Sequence, residues 1–286
     1  MKGLVVASSF GTYAVSVNGT LFYIKPRGAF RQQGIKPMVG DYVEFDEIDL
    51  VMNDVFPRST ILKRPAIANI TQLVLVFSLV EPDFSYLLAF KYLTYANMHN
   101  LKVSLVITKI DKNENIKLVE QIKSTFESLN IHVYFISNKT KEGLDEVKKL
   151  FKNEVSCIMG QTGVGKSSLI NAIDTNYARA IGEYSKALGR GKHRTKEVIL
   201  LPYQGGYIAD TPGFSALDLE LSKEELAVFY PSFNTLYNKC YFANCLHLSE
   251  NRCAVKHYLS SHTIPSLVYE IYQKLSLDAP YKIKRY

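Results

Sequence analysis

A chain of 286 residues with 47% hydrophobic and 21% charged side chains is long enough for two or three domains and has the balance of a globular protein. Its longest apolar runs, such as Leu73–Val80, fall short of a bilayer span, and the opening residues carry Lys2 but no clean apolar signal-peptide core, so we expect a cytoplasmic protein with no membrane partner. A net charge of +7 is compatible with nucleic acid without demanding it.

Residues 1–64 alternate in short strand-like segments, GLVVAS, TYAVSV, TLFYIK and DYVEFD, separated by turn residues such as Asn18-Gly19. That spacing predicts a small all-β barrel, of the oligonucleotide-binding (OB) or the SH3-like kind. Lys25, Arg27, Arg31 and Lys36 make an all-basic stretch, followed by an all-acidic one from Asp41 to Asp54. From residue 65 the texture changes to alternating strands and helices. ITQLVLVFSL at 70–79 is a continuous apolar run suited to a strand buried on both faces. A helix-like stretch follows at 84–98, then the strand KVSLVIT. Next comes a helix with Ile116, Val119, Ile122, Phe126 and Leu129 at helical spacing. IHVYFIS, EGLDEVKKLF and VSCIMG read as strand, helix and strand, and EVILL and GYIAD as a hairpin. The repetition predicts a mostly parallel sheet with helices on both faces. Beyond residue 222 the pattern turns helical: Ser222-x-x-Glu225 is a capping box, and an amphipathic helix is expected near 266–276. The expected domains are therefore 1–64, 65–221 and 222–286.

Chemistry concentrates in three places. Gly160-Gln161-Thr162-Gly163-Val164-Gly165-Lys166-Ser167-Ser168 contains the G-x-x-x-x-G-K-[ST] phosphate loop, between a buried strand and an amphipathic helix. Its glycines let backbone N–H groups turn toward phosphate oxygens, Lys166 reaches the β and γ oxygens, and Ser167 completes a Mg²⁺ shell. Asp210-Thr211-Pro212-Gly213 follows about fifty residues later at a strand end, where Asp210 can hold Mg²⁺ and the Gly213 N–H can meet the γ-phosphate. Thr108-Lys109-Ile110-Asp111 has the form of a guanine reader. Asp111 accepts from guanine N1–H and N2–H₂, and the Lys109 stem lies over the ring. Thr108 stands where such readers usually have Asn, with one hydroxyl to tie the segment to the phosphate loop. Ser137 and Asn138, after the next strand, are expected to bring backbone N–H groups to guanine O6.

The third place is Cys240-x₄-Cys245-x-His247-x₅-Cys253, a complete tetrahedral donor set with no open position, hence one structural Zn²⁺. Cys157 reads as a core residue.

In this chain the base reader precedes the phosphate loop, so the order is a circular permutation of the usual GTPase order. With the N-terminal barrel, TKID, GQTGVGKSS, DTPGF and the Cys/His cluster, the whole chain resembles the ribosome small-subunit-dependent GTPase A family. The resemblance implies an OB-like barrel, a circularly permuted P-loop GTPase and a C-terminal helical zinc-binding domain. It implies a GTP hydrolase, cycling between GTP and GDP, that acts on the small ribosomal subunit and its rRNA in late maturation and is stimulated by the particle; we expect a monomer. The family's first-switch motif is similar to Gly191-Lys192-His193-Arg194-Thr195. By that match Thr195 ligates Mg²⁺ and senses the γ-phosphate, and His193 orients the attacking water. Arg194 departs from the family's Thr, and Phe214 stands where many GTPases place a water-orienting Gln. Phe214 favours a rival reading, a nucleotide-gated RNA-binding switch with incidental hydrolysis.

Overall fold

A computed structural model describes every residue except 29, 31–33, 113–114, 176, 178–181, 183–197, 211–220, 262–263 and 282–286, and describes Asp210 by its backbone alone. Five strands open the chain: β1 (Lys2–Ser9), β2 (Thr12–Val17), β3 (Thr20–Pro26), β4 (Tyr42–Asp46) and β5 (Val51–Val55). The turn between β2 and β3 is Asn18-Gly19, with φ of 50° and 87°, the left-handed pair that a two-residue hairpin turn requires. The strands close in the order β1-β2-β3-β5-β4, with β3 and β5 parallel and β4 antiparallel to β1. This five-stranded closure is that of an OB-like barrel, which settles the choice between the two barrels. Val5, Val15, Ile24, Val43, Phe45 and Met52 fill its interior. The fifth strand escapes sequence reading because VMNDV carries one fully buried side chain, Met52, and no alternation strong enough to announce it.

The outer face of β1 is also covered. Leu4, Val6 and Ala7 belong to the same core as the central sheet, so the barrel is packed onto its neighbour. A short hairpin, β6 (Ile61–Lys63) with β7 (Ala66–Ala68), spans the expected 64/65 division and joins the two. Ala68 N–H donates to Val39 O at 2.9 Å, and a Cβ on Gly40 would lie 2.0 Å from Ala68 O. Asp41, first of the acidic stretch, is no surface charge. Its buried carboxylate accepts two hydrogen bonds from Arg58, at 2.6 and 2.8 Å, and one from Met38 N–H at 2.7 Å.

The central sheet contains β8 (Gln72–Ser78), β9 (Lys102–Thr108), β10 (His132–Phe135), β11 (Val155–Met159), β12 (Ile199–Tyr203) and β13 (Gly206–Asp210). Its order is β10-β9-β8-β11-β13-β12, parallel throughout except for β12 against β13. Every residue of β8 is buried, as its unbroken apolar run demands. The helices are α1 (Tyr86–Met98), capped by the Ser85 hydroxyl, α2 (Ile116–Glu127), capped by Asn115, α3 (Leu144–Leu150) and α4 (Lys166–Ile173). Of the apolar stripe expected on α2, Ile122 and Phe126 are fully buried, whereas Ile116, in the first turn, is 72% exposed.

The last part holds α5 (Lys223–Phe229), α6 (Ala254–Ser260) and α7 (Ser266–Asp278), and the Ser222/Glu225 capping box is formed on both sides. It is fastened to α1: Tyr230 stacks on Phe90 with ring centroids 5.2 Å apart, and Asn97 Nδ2 donates to Phe229 O at 2.9 Å. Among the described residues, no helix is long and apolar enough to cross a membrane.

Candidate functional site

Parallel strands bring their carboxyl ends to one edge of the sheet, and the crevice there is where such sheets take ligands. At this edge β8 lies between β9, which ends in Thr108, and β11, which runs into the phosphate loop. The loop hugs the sheet because Gly160 has no side chain: a Cβ would stand 2.1 Å from Val76 O. Gly163 and Gly165 hold φ of 86° and 96°, conformations that L side chains rarely adopt. Val164 is buried as the loop's apolar anchor, leaving its backbone for the site. Lys166 Nζ donates to Gly160 O and Gln161 O, both at 2.6 Å, so its ammonium arches back over the loop that Gln161, Thr162 and Gly163 form. Ser167 and Ser168 are exposed in the first turn of α4.

The Thr108–Asp111 segment folds onto this loop. Thr108, fully buried, donates its hydroxyl to Val164 O at 2.5 Å. Lys109 adopts φ 62°, and its ammonium donates to the Glu81 carbonyl. Ile110, Asp111 and Lys112 make a single 3₁₀ turn, and Lys112 pairs with the Glu81 carboxylate at 2.6 Å. Ser137 Oγ donates to Asp111 Oδ1 at 2.6 Å while accepting from the N–H groups of Lys139 and Thr140. That bond from Ser137, with help from the backbone and the nearby Lys139 and Lys112 ammonium groups, holds the Asp111 carboxyl below its usual range. Asp111 is thereby kept as an acceptor aimed by its neighbours.

One expectation changes here. The Ser137 backbone N–H donates to Glu142 O at 3.1 Å, so it is not offered to guanine O6; its hydroxyl instead donates to Asp111. Asn138 Nδ2 donates to Gly165 O at 3.3 Å. Sequence reading missed Glu81 altogether. It stands 28 residues before Lys109, and only the pairing of β8 with β9 brings the two together. Asp210 ends β13, whose Ala209 pairs with Cys157 of β11, so its backbone reaches the same edge. His193, Thr195 and Gly213 lie outside the described residues.

The second site is Cys240, Cys245, His247 and Cys253, whose donor atoms all lie within 4.8 Å of one another. His247 Nδ1 lies 3.6 Å from Cys240 Sγ and 3.4 Å from Cys253 Sγ. Nε2 meets Ala227 O at 3.1 Å, which assigns the proton to Nε2 and turns the Nδ1 lone pair toward the thiols. Burial lowers the His247 pKa, favouring the neutral ring that a metal needs. Burial also pushes the Cys245 thiol up to about 12 and raises Cys253, so a cation is what would make thiolates of them. Phe233 and Tyr237 face the imidazole edge-on at 5.3 and 5.9 Å. The residues fit a closed, four-donor metal site. Cys157, by contrast, is buried in the sheet.

Known proteins resemble this chain along its whole length. The family described as RsgA GTPase matches residues 55–220, and the RsgA N-terminal domain matches residues 2–50. A protein named small ribosomal subunit biogenesis GTPase RsgA from Halalkalibacterium halodurans is 40% identical, over 95% of this chain and 94% of its own. One of the same name from Staphylococcus aureus is 38% identical, over 99% of both chains. Among solved structures, YjeQ from Thermotoga maritima superposes with a TM-score of 0.82 at 32% identity over 97% of both chains. YloQ, described as a circularly permuted GTPase, gives 0.80 at 30% identity, over 100% of this chain and 96% of that one.

Proposed function

Since the chain belongs to the RsgA GTPase family, we propose that it is a GTP hydrolase of small ribosomal subunit biogenesis, acting on the particle late in its maturation and stimulated by it. The observation that carries the nucleotide reading is the Thr108–Val164 hydrogen bond, which joins a base reader and a phosphate loop in reversed chain order.

Asp111 takes the N1–H and N2–H₂ of guanine, an acceptor set that adenine cannot match, while the Lys109 stem lies over the ring. Gly160 to Lys166 wrap the phosphates, with the positive end of α4 behind them. Ser167, Thr195 and Asp210 would hold a Mg²⁺ ion, which would supply charge neutralisation at the β and γ oxygens. His193 orients the water, a role that Phe214 cannot take. The Cys₃His cluster would hold Zn²⁺ as a structural ion, because its four donors would leave no position for substrate. The barrel and the metal-bearing domain contact rRNA. The basic segment 184–196 meets its phosphates, and that contact completes the catalytic site on the particle. The protein works as a monomer in the cytoplasm.

GTP turnover with and without isolated small subunits tests this reading. Stimulation by the particle, lost in His193→Ala, is the expected result. Equal turnover with and without the particle would favour a nucleotide-gated RNA-binding switch instead.

A further inference from the structure

Guanine readers usually begin with Asn, and this chain has Thr108. A threonine hydroxyl donates one hydrogen bond where an amide offers two, so part of the tie between base reader and phosphate loop must be found elsewhere. We propose that Asn138 supplies it as a positioning residue: Thr108 and Asn138 together orient two successive peptides of the phosphate loop. The inference rests on the guanine-nucleotide reading and adds to it a role for the Asn138 side chain, distinct from its backbone N–H.

Two adjacent carbonyls are held from two different strand ends. Val164 O accepts from Thr108 Oγ1 at 2.5 Å, at the end of β9. Gly165 O accepts from Asn138 Nδ2 at 3.3 Å, beyond the end of β10. The two side chains converge on one glycine: a Cβ on Gly165 would stand 3.1 Å from Asn138 Nδ2 and 3.7 Å from Thr108 Oγ1. A trans peptide is planar, with its C=O and N–H pointing opposite ways. Turning Val164 O toward Thr108 therefore turns the Gly165 N–H away from it, into the loop. Turning Gly165 O toward Asn138 does the same for the Lys166 N–H. These two N–H groups stand at the N-terminus of α4, where a phosphate is received. Gly165 O also takes the first helical bond of α4, from Leu169 N–H at 2.8 Å, so the amide steadies the start of the helix as well. Asn138 Oδ1 is buried with no partner among the described residues. An unsatisfied acceptor costs stability, and its retention fits a side chain kept for what its Nδ2 does.

GDP affinity measures the tie, because the phosphates that both nucleotides share lie against these peptides. Asn138→Ala is expected to weaken GDP binding about tenfold, with an unchanged preference for GDP over XDP and a ligand-free protein that still melts cooperatively. The isosteric Asn138→Asp, which sets a carboxylate against Gly165 O, should weaken it at least as much. Placing an amide at the other strand end, Thr108→Asn in the Asn138→Ala background, should restore affinity to within about threefold of the parent. Asn138→Ala and Asn138→Asp both binding within twofold of the parent would overturn the proposal, as would a double variant no tighter than Asn138→Ala. A parent that fails to bind GDP would instead overturn the guanine reading beneath it.

Discussion

All four donors of the metal cluster come from the stretch between Cys240 and Cys253, in a buried pocket walled by aromatic rings, with His247 fully enclosed. The nucleotide site is assembled from segments far apart in the chain. Its internal ties span 56 residues from Thr108 to Val164, 28 from Glu81 to Lys109 and 26 from Asp111 to Ser137. The first site is closed in sequence and in space, so one cation can complete it. The second is an open edge whose loops are aimed by single hydrogen bonds, so a ligand can enter, be sensed and leave. One arrangement suits a permanent staple and the other a switch.

The largest effect should come from removing the metal. Structural zinc commonly supplies on the order of 10 kcal/mol of binding free energy to a small domain, far more than any one hydrogen bond in the molecule. A strong chelator, or Cys253→Ala, should take bound zinc from one equivalent to none and expose residues 222–281 to protease. GDP affinity should move by less than about threefold; a collapse of nucleotide binding would show that the two sites are not separate. Next comes Asp111→Asn, which replaces an acceptor by an amide that cannot take both guanine donors. Preference for GDP over XDP should fall on the order of a thousandfold or more, and an unchanged ratio in competition binding would remove Asp111 from the base site.

Ser137→Ala tests the aiming of that carboxylate and should weaken GDP binding about tenfold. Its pH signature has a definite sign. The Ser137 hydroxyl favours the charged carboxylate and lowers the Asp111 pKa, and the proposed guanine contact needs that charge. In the parent, affinity should persist as pH falls through the ordinary aspartate range, near pH 4, and be lost only below it. Without the hydroxyl the loss should move up toward that range. GDP titrations across acid pH that superpose for the two proteins would contradict this. The smallest effect is expected at Glu81→Gln. Its carboxylate pairs with Lys112 in solvent, while Lys109 is held by the Glu81 backbone carbonyl, which the substitution keeps. GDP affinity should stay within about twofold, and a larger loss would assign the aiming of Lys109 to the carboxylate.

Legibility followed the same division. The phosphate loop, TKID and the Cys₃His spacing were readable because each is a local pattern in which side-chain type and spacing state the chemistry. So were the strands of the central sheet, above all β8, whose unbroken apolar run leaves no other fate for it. Strand β5 and the hairpin of β6 and β7 were not, since segments of three to five residues, too short to show a period, become strands only when a partner edge is offered. Ile116 fitted the helical stripe of α2 yet lies exposed, because periodicity marks a face and not how far the neighbouring element extends along it.

What the amino-acid sequence determined alone was the inventory: a barrel followed by a permuted α/β sheet, a phosphate-loop motif, a TKID segment of guanine-reader form and a Cys₃His set able to hold a metal. What the tertiary structure decided was which atom of each residue acts. Ser137 offers its hydroxyl to Asp111 and spends its N–H on Glu142; Glu81 offers a carbonyl to Lys109; Asn138 offers its amide to Gly165. These choices depend on strand register and on the direction of individual peptide planes, which long-range packing sets and no local pattern encodes.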